Sequence, residues 1–315
     1  MNIQHNIGSS ETTREALVFQ FSEYQKIKPS HITTINIPFF EWFIGFTEGD
    51  GSFIVKNPTI SLNRKQLVFT IYQNDVKLLH KIKTRLGFGT VTQVKNFNKK
   101  NYRYDVFRMK DIVKLIHLFN GNLVLEKVWY RFQIWVSEYN KQCTMSSTLW
   151  KSIVLKPYRK QCSLQSAWLA GFVEADGGFY ANLRHHAKSK NGYALVFKFY
   201  ITQKYEKPIL KSIAHLFRDE TETKMSKSNP SLSDFIYTYK SKIETYRLEL
   251  TRYQDIHAII AYFDRYPLQG KKNIVFVSWK RLFIFKDRLK QEAWVSEKSF
   301  QKLNTLVKAV QNTVL

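Results

Sequence analysis

Four carboxylates recur in one pattern. The stretch "FIGFTEGDGSF", residues 43–53, carries Glu48 and Asp50 ahead of Gly51; "LAGFVEADGGF", residues 169–179, carries Glu174 and Asp176 ahead of Gly177. Each follows a short apolar run, and a helix over that run sets the acids in or near its last turn. The macrodipole is negative there, so an acid is unfavourable by roughly 0.3–1 kcal/mol. Two such helix ends side by side also repel each other. A divalent cation relieves both problems. Hard oxygen ligands, open positions and a phosphate partner are what Mg²⁺ favours. A solvated helix end with a glycine stop accounts for one such segment. Two copies in a strongly basic chain point to a site.

The glycines around the acids suit close packing. Gly45 and Gly49, like Gly171 and Ala175, stand four apart on one helix face, where small residues let two backbones approach. The glycine penalty in a helix, roughly 1 kcal/mol against Ala, needs such a contact to offset it. Gly51 and Gly177 are expected to take positive φ and end each helix.

The elements behind these helices repeat as well. Asp50 and Asp176 lie 126 residues apart, and each motif opens into β-rich sequence: "SFIVKN" and "QLVFTIYQ" in the first copy, "GFYANLR" and "YALVFKFYITQ" in the second. Leu67, Phe69 and Ile71 alternate with Gln66, Val68 and Thr70. Leu195, Phe197, Phe199 and Ile201 alternate in the same way, the period of a half-buried antiparallel strand. Helices follow, with Leu78, Leu79, Ile82 and Leu86 on one face before Gly87, and with Leu210, Ile213 and Phe217 behind Pro208. Further strands are expected around 90–95 and 102–108, and around 222–226 and 235–250. Then come helices carrying Ile112, Leu115, Ile116 and Phe119, and Ile256, Ile259, Ile260 and Phe263. Each half reads αββαββα. The class is α+β, with a first half at 38–139, a linker at 140–165, a second half at 166–295 and an amphipathic C-terminal helix at 296–315. Residues 1–37 read as a weakly ordered or extended leader.

Charge names the partner class. The chain of 315 residues carries a formal charge of +24 with 44% apolar residues, so it has both a sizeable core and a strong claim on polyanions. Residues 51–104 hold eleven Lys or Arg against the single acid Asp75, and residues 177–205 hold five against none, so the basic excess falls on the strands. Alternation puts Ser52, Ile54 and Lys56 on one face with Gln66, Thr70 and Tyr72. It puts Tyr180, Asn182 and Arg184 with Lys198, Tyr200 and Thr202. Such faces mix donors, acceptors and apolar tips, as base reading in a major groove requires. Cys143 and Cys162 alone do not make a disulfide scaffold. The eight histidines form no ligand cluster with them. No apolar run approaches the roughly 18 residues that span a bilayer, and no signal peptide or nucleotide-binding loop is evident.

At the two acidic segments the chain resembles the LAGLIDADG homing endonucleases and maturases of organellar introns. "LAGFVEADG" is close to the family motif, while "FIGFTEGDG" keeps Gly45, Asp50 and Gly51. The resemblance covers roughly 40–290 and is to the single-chain members with two motifs. It implies an αββαββα core in each half, motif helices at the interface and two sheets forming a saddle over DNA. It assigns the metals to Asp50 and Asp176, with backbone carbonyls of Gly49 and Ala175 as further ligands, and gives Glu48 and Glu174 a supporting role. Gln73 and Gln203, at the ends of second strands, fall near the scissile phosphate. Lys272, in "LQGKKNIVFVSW", and Lys127, in "NGNLVLEKVWYRF", match a lysine ahead of each half's last helix. "LFRDETETKM" in the second half departs from "LGFGTV" in the first, which implies a reshaped third strand.

The resemblance implies metal-assisted phosphodiester hydrolysis, one strand per half, giving a staggered double-strand break at a long and loosely palindromic DNA target. Mg²⁺ is the expected cofactor, with Mn²⁺ or Ca²⁺ standing in for binding. A monomer of mitochondrial origin, or of another organelle such as the chloroplast, is expected. The alternatives are an intron RNA maturase with weak or lost cleavage and a non-enzymatic DNA-binding protein. The two intact aspartates favour cleavage, since binding alone does not need them.

Overall fold

The computed structural model describes residues 18–57, 64–94, 101–145, 150–188, 192–222, 235–239, 243–289 and 296–312. The chain divides into two compact units, Met1–Leu169 and Ala170–Leu315.

The first unit runs α1 (Ser22–Ile27), α2 (Ile37–Asp50), β1 (Gly51–Lys56), β2 (Gln66–Gln73), α3 (Val76–Leu86), β3 (Thr90–Val94), β4 (Asn101–Val106), α4 (Met109–Phe119) and α5 (Glu126–Met145). Asn36 starts α2 by accepting from the Phe39 N–H at 2.9 Å, with a proline in the first turn. The helix is apolar nearly all round and is buried from Phe39 to Glu48. It then passes straight into β1. Gly51 has φ −82° and ψ 152°, so the expected left-handed stop is absent there, and Gly177 too lies outside the positive-φ residues. Space is the reason for Gly51: a Cβ there would stand 2.6 Å from Thr47 Cγ2 and 2.7 Å from Thr47 O. Gly87, at φ 78°, does end α3 in the left-handed form.

The strands form an antiparallel sheet in the order β1-β2-β4-β3, with Ser52 opposite Thr70 and Thr70 opposite Asp105. Phe53 anchors the core. Its ring centroid lies 5.2–5.4 Å from those of Phe69, Phe119, Phe132 and Trp135. This contact places α4 and α5 on one face of the sheet and leaves Ser52, Thr70 and Asp105 on the other.

The second unit repeats the plan: α6 (Trp168–Asp176, crossing the division), β5 (Gly177–His185), β6 (Tyr193–Lys204), α7 (Lys207–Glu222), β7 (Ile236–Tyr239), β8 (Thr245–Leu250), α8 (Tyr253–Arg265), α9 (Lys272–Leu289) and α10 (Glu297–Asn312). Its sheet order is β5-β6-β8-β7. Phe179 takes the place of Phe53, 5.1–5.8 Å from Phe199, Phe263, Phe276 and Trp279. The five-ring cluster thus recurs residue for residue. Leu303, Val307 and Val310 bury the inner face of α10, as its periodicity predicts.

Three expectations change, and a fourth lies mostly outside the described residues. In the second half the strand expected around 222–226 falls almost wholly outside the described residues, which omit 223–234; α7 runs through Glu222, and the strand beside β8 is β7 at Ile236–Tyr239. Both final strands described come from 236–250. Each unit also adds a long helix, α5 or α9, beyond the αββαββα plan. Residues 18–27 are not extended leader, because Phe19, Phe21 and Tyr24 are buried and the last two pack on Phe40 at 5.6 and 5.0 Å; residues 1–17 lie outside the described residues. Finally, α5 continues to Met145, and the segment beyond it is laced to the first unit. Asn140 exchanges two hydrogen bonds with the Ile153 backbone at 2.8 and 2.9 Å. Asn120 accepts from Lys156 N at 2.7 Å and donates to Val154 O at 2.8 Å.

Candidate active site and nucleic-acid interface

Each motif helix delivers its last residue, an aspartate, to the head of an edge strand. The neighbouring strand runs antiparallel, with Gly51 opposite Ile71 and Gly177 opposite Ile201. Two residues further on, that neighbour presents a glutamine. Gln73 donates from Nε2 to Asp50 Oδ2 at 2.5 Å, and Gln203 donates to Asp176 Oδ2 at 2.5 Å. Hydrogen bonds to an ionised acceptor are short and strong, and these fix the carboxylate planes. The structure therefore brings together the predicted aspartate and glutamine of each half.

The glutamates three-quarters along each motif turn away from solvent. Glu48, 3% exposed, accepts through Oε1 from the Val124 and Leu125 N–H groups at 2.8 and 2.7 Å, and through Oε2 from Trp168 Nε1 at 2.5 Å. Glu174, 6% exposed, accepts through Oε2 from Gln269 N at 2.7 Å and Gly270 N at 3.1 Å. Each thereby clasps the loop that leads into the last long helix of the core. The two lysines follow the clasped loops at the same spacing. Lys127 lies two residues past Leu125, and Lys272 two past Gly270.

Lys272 answers the electrostatic problem posed by an acid at a helix C-terminus. Its Nζ donates to the carbonyls of Val173, Ala175 and Gly177 at 3.1, 2.9 and 2.7 Å. A cation among the last carbonyls offsets the macrodipole. The Ala175 carbonyl, expected as a metal ligand, accepts one of these bonds, which leaves its second lone pair for another partner. Gly49 is part-buried at the equivalent place.

Across the open sheet faces the predicted residues separate into two groups. Register confirms the predicted sharing of faces, pairing Ser52 with Thr70, Lys56 with Gln66 and Tyr180 with Lys198. Lys56, Tyr72 and Arg184 are exposed, and Ser52, Ile54, Gln66, Tyr180, Tyr200 and Thr202 are half-buried. Thr70 shares this face but is only 2% exposed, beside Asp105. Lys198 is held by Glu249 at 2.6 Å, and Asn182 Oδ1 accepts from Gln311 Nε2 at 3.3 Å. Sequence reasoning missed Asp105, Glu249 and their arginines. The signal was present as a second repeat, "YRYDV" at 102–106 and "YRLEL" at 246–250. It also missed Tyr237 and Tyr239, both exposed on β7.

Among the described residues no three His, Cys, Asp or Glu side chains gather as a metal cluster, and no helix is long and apolar enough to cross a membrane. One carboxylate per unit, with an amide beside it, is an all-oxygen donor set. It fits a hard cation that keeps waters and phosphate oxygens as its other ligands.

These features define a duplicated α+β protein whose two halves each end a buried helix in an Asp-Gly step beside a glutamine. The family model for the LAGLIDADG endonuclease matches residues 43–139 and 169–283. Probable intron-encoded endonuclease 4 of Neurospora crassa is 28% identical over 278 residues, 88% of this chain and 43% of the relative. Probable intron-encoded endonuclease Cox1-I1b of Schizosaccharomyces pombe is 26% identical over 262 residues, 77% of this chain and 63% of the relative. The chain therefore spans about half the length of these curated relatives. The I-LtrWI LAGLIDADG homing endonuclease, solved bound to target DNA, shares the fold with a TM-score of 0.63 at 21% identity, covering 87% of this chain and 98% of that one. The chain belongs to the LAGLIDADG endonuclease family.

Proposed function

We propose that this protein is a site-specific DNA endonuclease that makes a staggered double-strand break at a long, loosely palindromic target. The observation that carries the reading is the Asp–Gln pair at 2.5 Å, built identically into both units at the head of a sheet. Asp50 and Asp176 are the residues that would hold a divalent cation such as Mg²⁺, which when bound supplies Lewis acidity at the phosphate. Gln73 and Gln203 keep each carboxylate turned to one orientation. Lys272 adds positive charge beside Asp176, where charge develops on the departing oxygen. Its partner in the first half is Lys127. The open sheet faces position the duplex through phosphates and base edges. Two motifs in one chain supply one acid per strand, so a monomer suffices. The halves differ in their face residues, so the target is only loosely palindromic. The names of relatives as intron-encoded proteins support an organellar, mitochondrial origin.

The test is to challenge the purified chain with a randomised duplex library in Mg²⁺ and sequence the ends. Paired, staggered cuts at one long site, lost in chelator, are expected. No cutting, or cutting indifferent to chelator, overturns the proposal. Intron RNA binding is read separately, by adding the same protein to its precursor RNA and following splicing.

A further inference from the structure

On the open face of each sheet an arginine is joined to a carboxylate two residues later on the same strand. In the first unit Arg103 Nε donates to Asp105 Oδ2 at 2.5 Å. In the second, Arg247 Nε stands 3.0 Å from Glu249 Oε1. The positions are equivalent. Phe69 and Phe199 hold the same place in the two ring clusters, opposite Val106 and Leu250 respectively. One residue back on each strand pair, Thr70 faces Asp105 and Tyr200 faces Glu249.

An acid in the middle of a basic groove opposes phosphate binding. An arginine whose charge is offset by a neighbouring carboxylate is a weaker phosphate clamp than a free one, most fully in the Arg103–Asp105 pair. What the pair does supply is geometry. The side chain of Asp105 is 9% exposed and that of Glu249 12%, so each carboxylate is a fixed, half-dry anchor rather than a solvated one. Glu249 is steadied by Lys198 through its other oxygen at 2.6 Å. Each guanidinium also meets a tyrosine. Arg247 Cζ lies 3.9 Å from the Tyr200 ring centroid, and that ring covers Gly178, where a Cβ would come within 2.5 Å of Tyr200 Oη. Arg103 reaches Tyr72 Oη with Nη1 at 3.4 Å. Arg103 is hydrogen-bonded through Nε to Asp105, while Arg247 is held by its ion pair with Glu249 and by the Tyr200 ring, its Nε making no hydrogen bond. A guanidinium so placed has Nη groups that form a fork. Guanine presents O6 and N7 in the major groove as the matching acceptor pair.

We infer that Arg103 and Arg247 each read one guanine, one in each half of the target, and that Asp105 and Glu249 are positioning residues that aim them. This rests on the proposed DNA cleavage. The test compares cleavage and binding profiles over every single-base variant of the target that the wild-type protein selects. Arg103→Ala and Arg247→Ala should each lose roughly 5- to 100-fold of discrimination at a single G·C pair in their own half-site. Arg103→Lys and Arg247→Lys keep the charge and safeguard folding; they should lose that preference with the salt dependence of binding unchanged. Asp105→Asn should weaken the preference at the same base pair, and Asp105→Glu should restore part of it. Uniform weakening on all sequences with a salt slope smaller by about one marks a phosphate contact and overturns the inference. So does an unaltered profile. Both results leave the nuclease reading intact. A wild-type protein that selects no target overturns both.

Discussion

Gln203 holds Asp176 at 2.5 Å, amide nitrogen to carboxylate oxygen, and the bond joins the end of a motif helix to the end of a second strand. Gln73 and Asp50 repeat it at the same distance. The glutamine therefore serves as a neutral donor to an ionised acid.

Replacing that donor by a second carboxylate reverses its effect. In Gln203→Glu two acids share one short contact, and one of them takes up a proton at a raised apparent pKa. The expected outcome is a cleavage rate at neutral pH at least ~10-fold lower, within the usual worth of a positioned catalytic group. The pH–rate profile should shift to higher pH. Gln203→Ala should lose rate without the shift. Superimposable profiles for the two variants would remove the coupling.

The two buried glutamates each hold a loop in place. Glu48 accepts from the Val124 and Leu125 N–H groups and from Trp168, and Glu174 from the Gln269 and Gly270 N–H groups. Leaving a buried donor unsatisfied costs about 1–3 kcal/mol, less whatever water recovers. Glu48→Ala and Glu174→Ala should each cost at least about 2 kcal/mol of unfolding free energy. Denaturant titration of both variants measures it, and wild-type stability in either would contradict the clasp.

Gly51 is required for room rather than for backbone conformation. Its extended φ admits any residue, while the built Cβ meets Thr47 at 2.6 Å. Gly51→Ala should cost about 1–3 kcal/mol by overpacking. It should also slow cleavage, because the strain falls one residue from Asp50. Wild-type stability in this variant would show that the helix end has slack.

Burial raises the Glu41 carboxyl above the usual range, against the opposing pull of the Ala167 N–H and Arg159. The folded chain then binds that proton more tightly than the unfolded chain, whose Glu titrates near 4.3. Stability contributed by this group is full below the unfolded value and is lost as pH rises through the raised one. Wild-type protein should lose more stability between pH 4 and pH 7 than Glu41→Gln, which keeps an acceptor for Ala167. Denaturation midpoints across that range measure it, and parallel pH dependences would refute it.

Asp50, Asp176, Gln73 and Gln203 were legible because their spacing from the repeated segment survives in both halves and the strands between them alternate cleanly. The clasps of Glu48 and Glu174 were not, since their backbone N–H partners stand 76 to 96 positions away with no sequence signature, and the Trp168 indole that also donates to Glu48 stands 120 away. Asp105 and Glu249 escaped for another reason. Each lies on the last strand of its sheet in chain order, beyond the basic stretches whose charge was tallied, and meets its arginine only through strand pleating. Phe19, Phe21 and Tyr24 follow no period, so only their packing shows that residues 18–27 are folded. In the second half α7 takes up the polar sequence through Glu222, and the described strand that pairs with β8 is Ile236–Tyr239.

The most direct measurement is cleavage of the selected duplex by Asp50→Asn and Asp176→Asn in Mg²⁺, with binding followed beside it. Each substitution keeps the size of the side chain and an acceptor for its glutamine while removing the charge. Neither variant should yield a double-strand break, and both should bind the duplex within about tenfold of the wild type, an affinity set mainly by the phosphate contacts of the sheets. A double-strand break at the native rate by either variant would contradict the assignment of the two aspartates to the chemistry.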